Sequence, residues 1–293
     1  MSTPEQSGGI QAEHPAARSL FQALFDDAAV FPPGLAPLPQ AVIDHVARRS
    51  SSYADLVGPL LLPAPLIEDF FHAQRSQHPD VTVVGRPDTD LALIRRYAEA
   101  LAKLGKDAGD VVGFEIVWHP DWHQSLSLAL PLSVEVPRGS DQARCLSDLE
   151  AHTGDVNPVR AKFRTGSTPQ RPVPTPAELA TFIHACVDRH LSFKLTGGLH
   201  HAISQATSDG EDQFGFLNVI AATHRTLAEG ASVSETESLL SQRDPAPIVD
   251  FIRQLSDRDA RSTRTFFTAY GCCGVMDPIG DLASLGLIKE TTV

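Results

Sequence analysis

The chain has 293 residues, 42% of them hydrophobic and 20% charged, which is ordinary globular composition with enough length to enclose a large core. Its net charge of −12 provides no basic surface to displace counterions, which argues against nucleic acid as a partner. No apolar run reaches the roughly 18 residues of a spanning helix, so no membrane partner is expected.

Residues 1–17 are polar and lack the basic start and apolar core of a signal peptide. They read as a flexible tail on a cytoplasmic protein. Runs of strand length then follow at 24–31, 56–62, 81–84, 111–118, 128–136, 159–164, 191–195 and 265–270. Helical patterns separate most of them, at 39–50, 65–77, 90–104, 142–151, 175–189 and 244–255. At the fifth of these, Thr175-Pro176 ahead of Glu178 combines a cap with a first-turn proline. The stretch 167–176 holds four prolines and reads as a stiff cover. Residues 204–214 read as an exposed loop, 215–229 as a helix and 230–242 as a helical insertion.

Strands alternating with helices imply parallel strands joined by crossovers. Eight such units predict a (β/α)8 TIM barrel over 18–293, a single domain. A doubly wound open sheet is the alternative. It would place a G-x-G-x-x-G turn after the first strand, where this chain has none. Polar residues at strand ends also favour the barrel, whose active-site face is built from such ends. Cys145 and Cys186 stand alone and Cys272-Cys273 are adjacent, with no C-x-x-C and no zinc spacing. These read as reduced, buried thiols, and no cofactor or metal is implied.

Two runs carry the functional question: Val159 to Ser167, "VRAKFRTGS", and Leu191 to His201, "LSFKLTGGLHH". Each places a lysine, Lys162 or Lys194, within apolar neighbours and then reaches glycine. Alternation along a strand gives Lys162 and Arg164 one face, and Lys194 and Thr196 another. Either both lysines point outward and snorkel, or they converge inside the barrel. In the second case repulsion and desolvation would lower one amine's pKa and make it a nucleophile for Schiff-base formation.

At this point the chain resembles class I (Schiff-base) aldolases of the deoxyribose-phosphate aldolase type. That family has a lysine, small hydroxyl residues and glycine on strand six, similar to Lys162-Phe163-Arg164-Thr165-Gly166. Its second lysine, on strand seven, precedes paired glycines, as in Lys194-Leu195-Thr196-Gly197-Gly198. "LSVEVP" with Glu135, "DDAAVFP" from Asp26 to Pro32 and "YGCCG" with Gly271 to Gly274 are similar in outline to its fifth, first and eighth strands. The resemblance covers strands five to eight and, in outline, the first. It implies Lys162 as the Schiff-base lysine and Lys194 as its pKa partner. Three departures stand out. Arg164 replaces a small hydroxyl residue. Leu199-His200-His201 replaces an apolar residue and arginine. No acid lies in 81–85, although Asp88 and Asp90 follow and Glu115 is a substitute on strand four.

Further candidates come from position. Asp26 or Asp27, at the exit of strand one, would bind water or a hydroxyl, and Asp27 is taken as the catalytic acid. Glu115 and Glu135 are proton carriers or else structural ion-pair partners. His200 or His201 is a general acid or base, or a packing pair. Arg164, Gly197, Gly198 and Gly271 suit a phosphate or carboxylate on the substrate, although the glycines also suit tight turns alone. Asn218 would close the site from the helix after strand seven, or serve as an ordinary polar helix residue. The expected function is a lysine-dependent carbon–carbon lyase or aldolase acting on a small anionic carbonyl compound. The alternatives are a metal-dependent lyase or hydrolase using Glu115, Glu135 and His200, and a non-catalytic small-molecule-binding barrel. The oligomeric state is open, a homo-oligomer included.

Overall fold

The structure, a computed structural model, describes residues 16–73, 79–103, 109–154, 157–207 and 210–289. The strands in chain order are β1 (Phe25–Asp27), β2 (Val57–Pro63), β3 (Val81–Val84), β4 (Val111–Val117), β5 (Leu132–Glu135), β6 (Val159–Arg164), β7 (Phe193–Thr196), the short β8 (Gln205–Ala206) and β9 (Asp212–Gln213), and β10 (Phe267–Cys272). All but β8 and β9 are parallel and close into an eight-stranded barrel in the order β1-β10-β7-β6-β5-β4-β3-β2. The helices are α1 (Leu38–Arg49), α2 (Ile67–Ala73), α3 (Leu91–Ala102), α4 (Gln142–Glu150), α5 (Pro176–Asp188), α6 (Phe216–Glu229), α7 (Val233–Ser241), α8 (Pro245–Gln254), α9 (Asp257–Phe266) and α10 (Met276–Ser284). This is the expected (β/α)8 barrel. No helix among the described residues is long and apolar enough to cross a membrane.

Alternation along the strands produces two distinct compartments. Residues such as Leu60, Leu62, Val81, Val83, Phe114, Ile116, Val134, Ala161, Phe163 and Leu195 belong to the buried core. They face outward, under the helices. The residues between them face the barrel axis, and many are charged. Rings lock this orientation. Phe163 of β6 stacks on Phe182 of α5 at 4.6 Å, and Phe182 meets Phe193 of β7 at 5.4 Å. Phe193 in turn stacks on Phe267 of β10 at 5.5 Å. A slip of one residue in either strand would exchange these rings for lysines.

Each expected strand falls on a barrel strand, with displaced ends. The run 128–136 begins too early, because Trp122–Leu128 is a 3-10 segment and Ala129 adopts φ +56° before β5 starts. That segment replaces a full helix between β4 and β5. The run 24–31 shortens to β1. The run 265–270 also begins too early, because Thr265 and Phe266 close α9 and β10 starts at Phe267. Of the expected tail, residues 1–15 lie outside the described residues, while Ala16 is buried and Ala17 packs against the core. Residues 74–77 and 104 of two expected helices also lie outside. The 204–214 loop is an antiparallel hairpin, β8–β9, with Ser204 and Phe214 buried at its base. Helix α5 starts with the anticipated cap: Thr175 Oγ1 accepts from Glu178 N, and Glu178 accepts from Thr175 N.

Truncating Phe182 removes the ring that joins β6 to β7. Phe182→Ala is expected to cost about 3–5 kcal/mol, read from urea unfolding at neutral pH. A midpoint equal to wild type would show that these rings do not set the strand orientation.

Candidate active site

The site is built from strands whose outward anchors leave their polar residues no other direction. Because β6 turns Ala161 and Phe163 outward, Lys162 and Arg164 face the barrel axis. Phe193 and Leu195 do the same for β7, so Lys194 and Thr196 face in. Strand register then brings the charges side by side: Glu135 is paired with Lys162, and Lys162 with Lys194. Glu115 enters from β4 and Asp26 from β1.

The result is a continuous line of alternating charge. Arg164 Nε donates to Glu135 Oε1 at 2.9 Å. Lys162 Nζ lies 3.1 Å from Glu135 Oε2 and 2.8 Å from Glu115 Oε2. Both are charge contacts rather than aligned hydrogen bonds. Lys194 Nζ donates to the other oxygen of Glu115 and to Asp26. Three cations thus alternate with three anions. Arg164, with its side chain 41% exposed, is the outer end, and buried Asp26 is the inner one.

These contacts set the protonation states. Burial alone would raise the Glu115 carboxyl, but Lys162 and Lys194 outweigh it and hold it at about 2. Burial also opposes the Glu135 carboxylate, yet Lys162 and Arg164 keep it below its ordinary range. Burial pushes the Asp26 carboxyl up despite Lys194. Burial would lower Lys162, but Glu115 and Glu135 win and hold its ammonium above the ordinary lysine range. The expected depression of the strand-six lysine is therefore corrected, because a carboxylate separates the two amines.

Lys162 opens onto a cavity of about 570 Å3 at the C-terminal mouth of the barrel, shared with Glu115, Arg164, Thr196, Gly197, Gly198, His200, Gly271 and Cys273. A second space of about 590 Å3, lined by Phe31, Val84, Ile116, Val117, Glu135 and Arg164, meets the same amine. Lys194 sits below, fully buried. Gly197 and Gly198 adopt φ +71° and +76°. A Cβ on Gly166 would meet the Gly197 carbonyl carbon at 3.1 Å. Backbone geometry therefore accounts for the glycines that follow each lysine.

Several expected residues lie elsewhere. Asp27 is turned away from the cavity. Its carboxylate holds His45 at 3.0 Å and Arg48 at 2.6 Å on α1. Asp26 is the acid that enters the barrel. The outward neighbour Phe25, packed on Phe216 and Tyr270, was the available signal. Asn218 is buried and ties the chain together, accepting from Ser204 N and donating to Leu239 O and Gln242 O. It is not among the residues lining either cavity. His201 pairs with Asp281 of α10 at 3.2 Å, while His200 faces the cavity beside Cys273 Sγ at 3.7 Å. The two histidines thus have different partners, and burial lowers the pKa of His200. Among the described residues no three His, Cys, Asp or Glu side chains form a metal-binding group. Glu115, Glu135 and His200 share a region but not a coordination shell. Glu211 and Gln213 of the hairpin, Phe31 and Cys273 line the cavity without having been anticipated. Hydropathy gives no signal for loop residues of this kind.

Comparison with family models, with curated proteins and with solved structures finds no match to this chain.

Two outcomes follow from the charge line. Lys194→Met leaves Asp26 without its cation and is expected to cost about 3–5 kcal/mol. Lys162→Met costs less, because Glu115 keeps Lys194 and Glu135 keeps Arg164. Equal urea midpoints for the two variants would count against the pairing. A carboxyl whose pKa is depressed on folding stabilises the fold above its unfolded value and loses that contribution as pH falls through its folded value. Glu115, ordinarily near 4.5 and held at about 2, should therefore titrate near 2 in the folded protein, its stabilising contribution falling away between those two values. Carbon-13 NMR of its carboxyl checks this, and a midpoint near 4.5 would refute it.

Proposed function

We propose that the protein is a lysine-dependent carbon–carbon lyase of the aldolase type, acting on a small anionic carbonyl compound. The observation that carries this reading is the position of Lys162. It lines both cavities at the mouth of a (β/α)8 barrel, the face on which barrel enzymes place their chemistry, and its amine touches the carboxylates of Glu115 and Glu135.

The carboxylates divide the work. Glu115 is clasped by both lysines and stays anionic, so it positions Lys162 and resists protonation. Glu135 lies nearer the mouth and is the proton carrier. Lys162 passes a proton to Glu135, and the free amine adds to the substrate carbonyl carbon. The carbinolamine takes that proton back from Glu135 and loses water to form an iminium. When the bond between the α and β carbons breaks, its electron pair moves toward the iminium to give an enamine. The hydroxyl proton of the departing fragment goes to Glu135 and leaves an aldehyde. Protonation of the enamine carbon and hydrolysis return Lys162. Lys194 supplies a fixed positive charge behind the reacting nitrogen and holds Glu115 in place. Arg164 attracts the anionic part of the substrate.

The test is borohydride reduction in the presence of a panel of small aldehydes and ketones, followed by peptide mass spectrometry. A substrate adduct is expected on Lys162, one of only five lysines in the chain, and Lys162→Met should lose both adduct and turnover. An adduct and activity that survive this substitution would dispose of the reading. Because Lys162 is held above the ordinary lysine range, its free amine grows with alkalinity, and initial trapping should climb from about pH 7 to about pH 10. A plateau already reached at neutral pH would contradict the assigned ammonium.

A further inference from the structure

Beside the lysine cavities, between the ends of β5 and β6, lies a smaller one of about 220 Å3. Its lining includes Trp118, Glu135, Arg138, Arg164, Thr168 and Arg171. Three guanidinium groups therefore meet one small space in a chain whose net charge is −12. The one carboxylate among these six, Glu135, is already shared between Arg164 and Lys162. Arg138 has a distant partner, Glu178 at 3.8 Å. Arg171 makes no carboxylate ion pair among the described residues.

Neutral carbonyls hold two of the three in place. Arg138 Nη2 donates to Pro172 O at 2.7 Å, and Arg171 Nη1 donates to Arg138 O at 3.0 Å. Each arginine thus anchors the other's segment, across a loop stiffened by its prolines. Carbonyl partners orient a guanidinium without cancelling its charge, and each group has five N–H donors to offer. Bringing like charges together in this way costs free energy that the fold does not recover. An oxyanion with several acceptor oxygens would recover it.

We propose that this pocket binds the anionic end of the substrate, a carboxylate or phosphate group held by Arg138, Arg164 and Arg171. As a substrate subsite it rests on the assignment of Lys162 as the reacting amine; as an anion site it stands alone. It moves the anion contact from the glycine turns after β7 and β10 to the arginine pocket after β5 and β6. Arg164 Nε and Lys162 Nζ contact the two oxygens of one carboxylate. The anionic group and the carbonyl are therefore separated by little more than the reach of Glu135, which selects a short oxoacid or phosphorylated carbonyl compound over a long-chain one.

Calorimetric titration of the full-length protein with inorganic phosphate, and separately with malonate, at constant ionic strength tests the site. Saturable binding of at least one anion is expected. Arg171→Gln, an exposed position, should weaken it about tenfold or more, and Arg138→Gln likewise. Arg225→Gln on α6 should bind as wild type. Lys162→Met should also bind as wild type while losing the borohydride adduct, so the anion site and the Schiff base can fail separately. Affinity unchanged in both Arg171→Gln and Arg138→Gln, or no saturation by either anion in the wild type, would overturn the proposal. The preference between phosphate and malonate identifies the anionic group.

Discussion

The interior of this barrel depends on charge alternation. An ammonium or carboxylate moved out of water loses several kcal/mol of hydration even after the protein relaxes. The row is tolerable here because each inner cation stands between anions and each inner anion between cations, with partly exposed Arg164 at its outer end. Arg164, Glu135, Lys162, Glu115, Lys194 and Asp26 form that sequence, with three charges of each sign. Barrel interiors of this kind are ordinarily filled with branched apolar side chains. Replacing that filling with ions gives up stability that packed apolar side chains of similar volume would supply.

The apolar shell and the ionic row are two faces of the same strands. Phe163 and Phe193 bury their rings against α5 and β10, and that burial aims the lysines inward. In turn the ion pairs resist any slip that would bring the lysines into the shell. Position along the row assigns roles. Lys162 reaches the cavities, Glu135 meets both the amine and the mouth, and Lys194 with Asp26 forms the dry end that keeps Glu115 in place.

Much of this was legible from alternation alone. Eight strand-length runs separated by helical patterns were enough for the barrel, and the matched lysines on successive strands were enough for their shared face. What period and spacing could not supply was contact order inside the barrel. Asp26 and Asp27 are adjacent, and only the packing of Phe25 decides between them. The direction of the Lys162 shift depended on Glu115 standing between the amines, which requires the register of β4 against β6. Helix α9 escaped notice because its sequence is polar, with Ala260 and Thr263 its buried residues; its capping box, Ser256 with Asp259, was the readable trace. Asn218 looked like a mouth residue because it starts a helix after β7, yet three backbone partners claim it.

The shared carboxylate of Glu115 has a consequence for how such a chain can vary over generations. Its two oxygens bind two different strands' lysines, so it couples β4, β6 and β7 into one electrostatic unit, with β1 joined through Asp26. Loss of Lys194 strands the buried Asp26 carboxylate, whereas loss of Lys162 leaves each neighbouring carboxylate one cation. Neutral drift at the Lys194–Asp26 end must therefore proceed by compensating pairs, and descendants of this barrel would be recognised by that co-inherited buried pair rather than by either lysine motif alone.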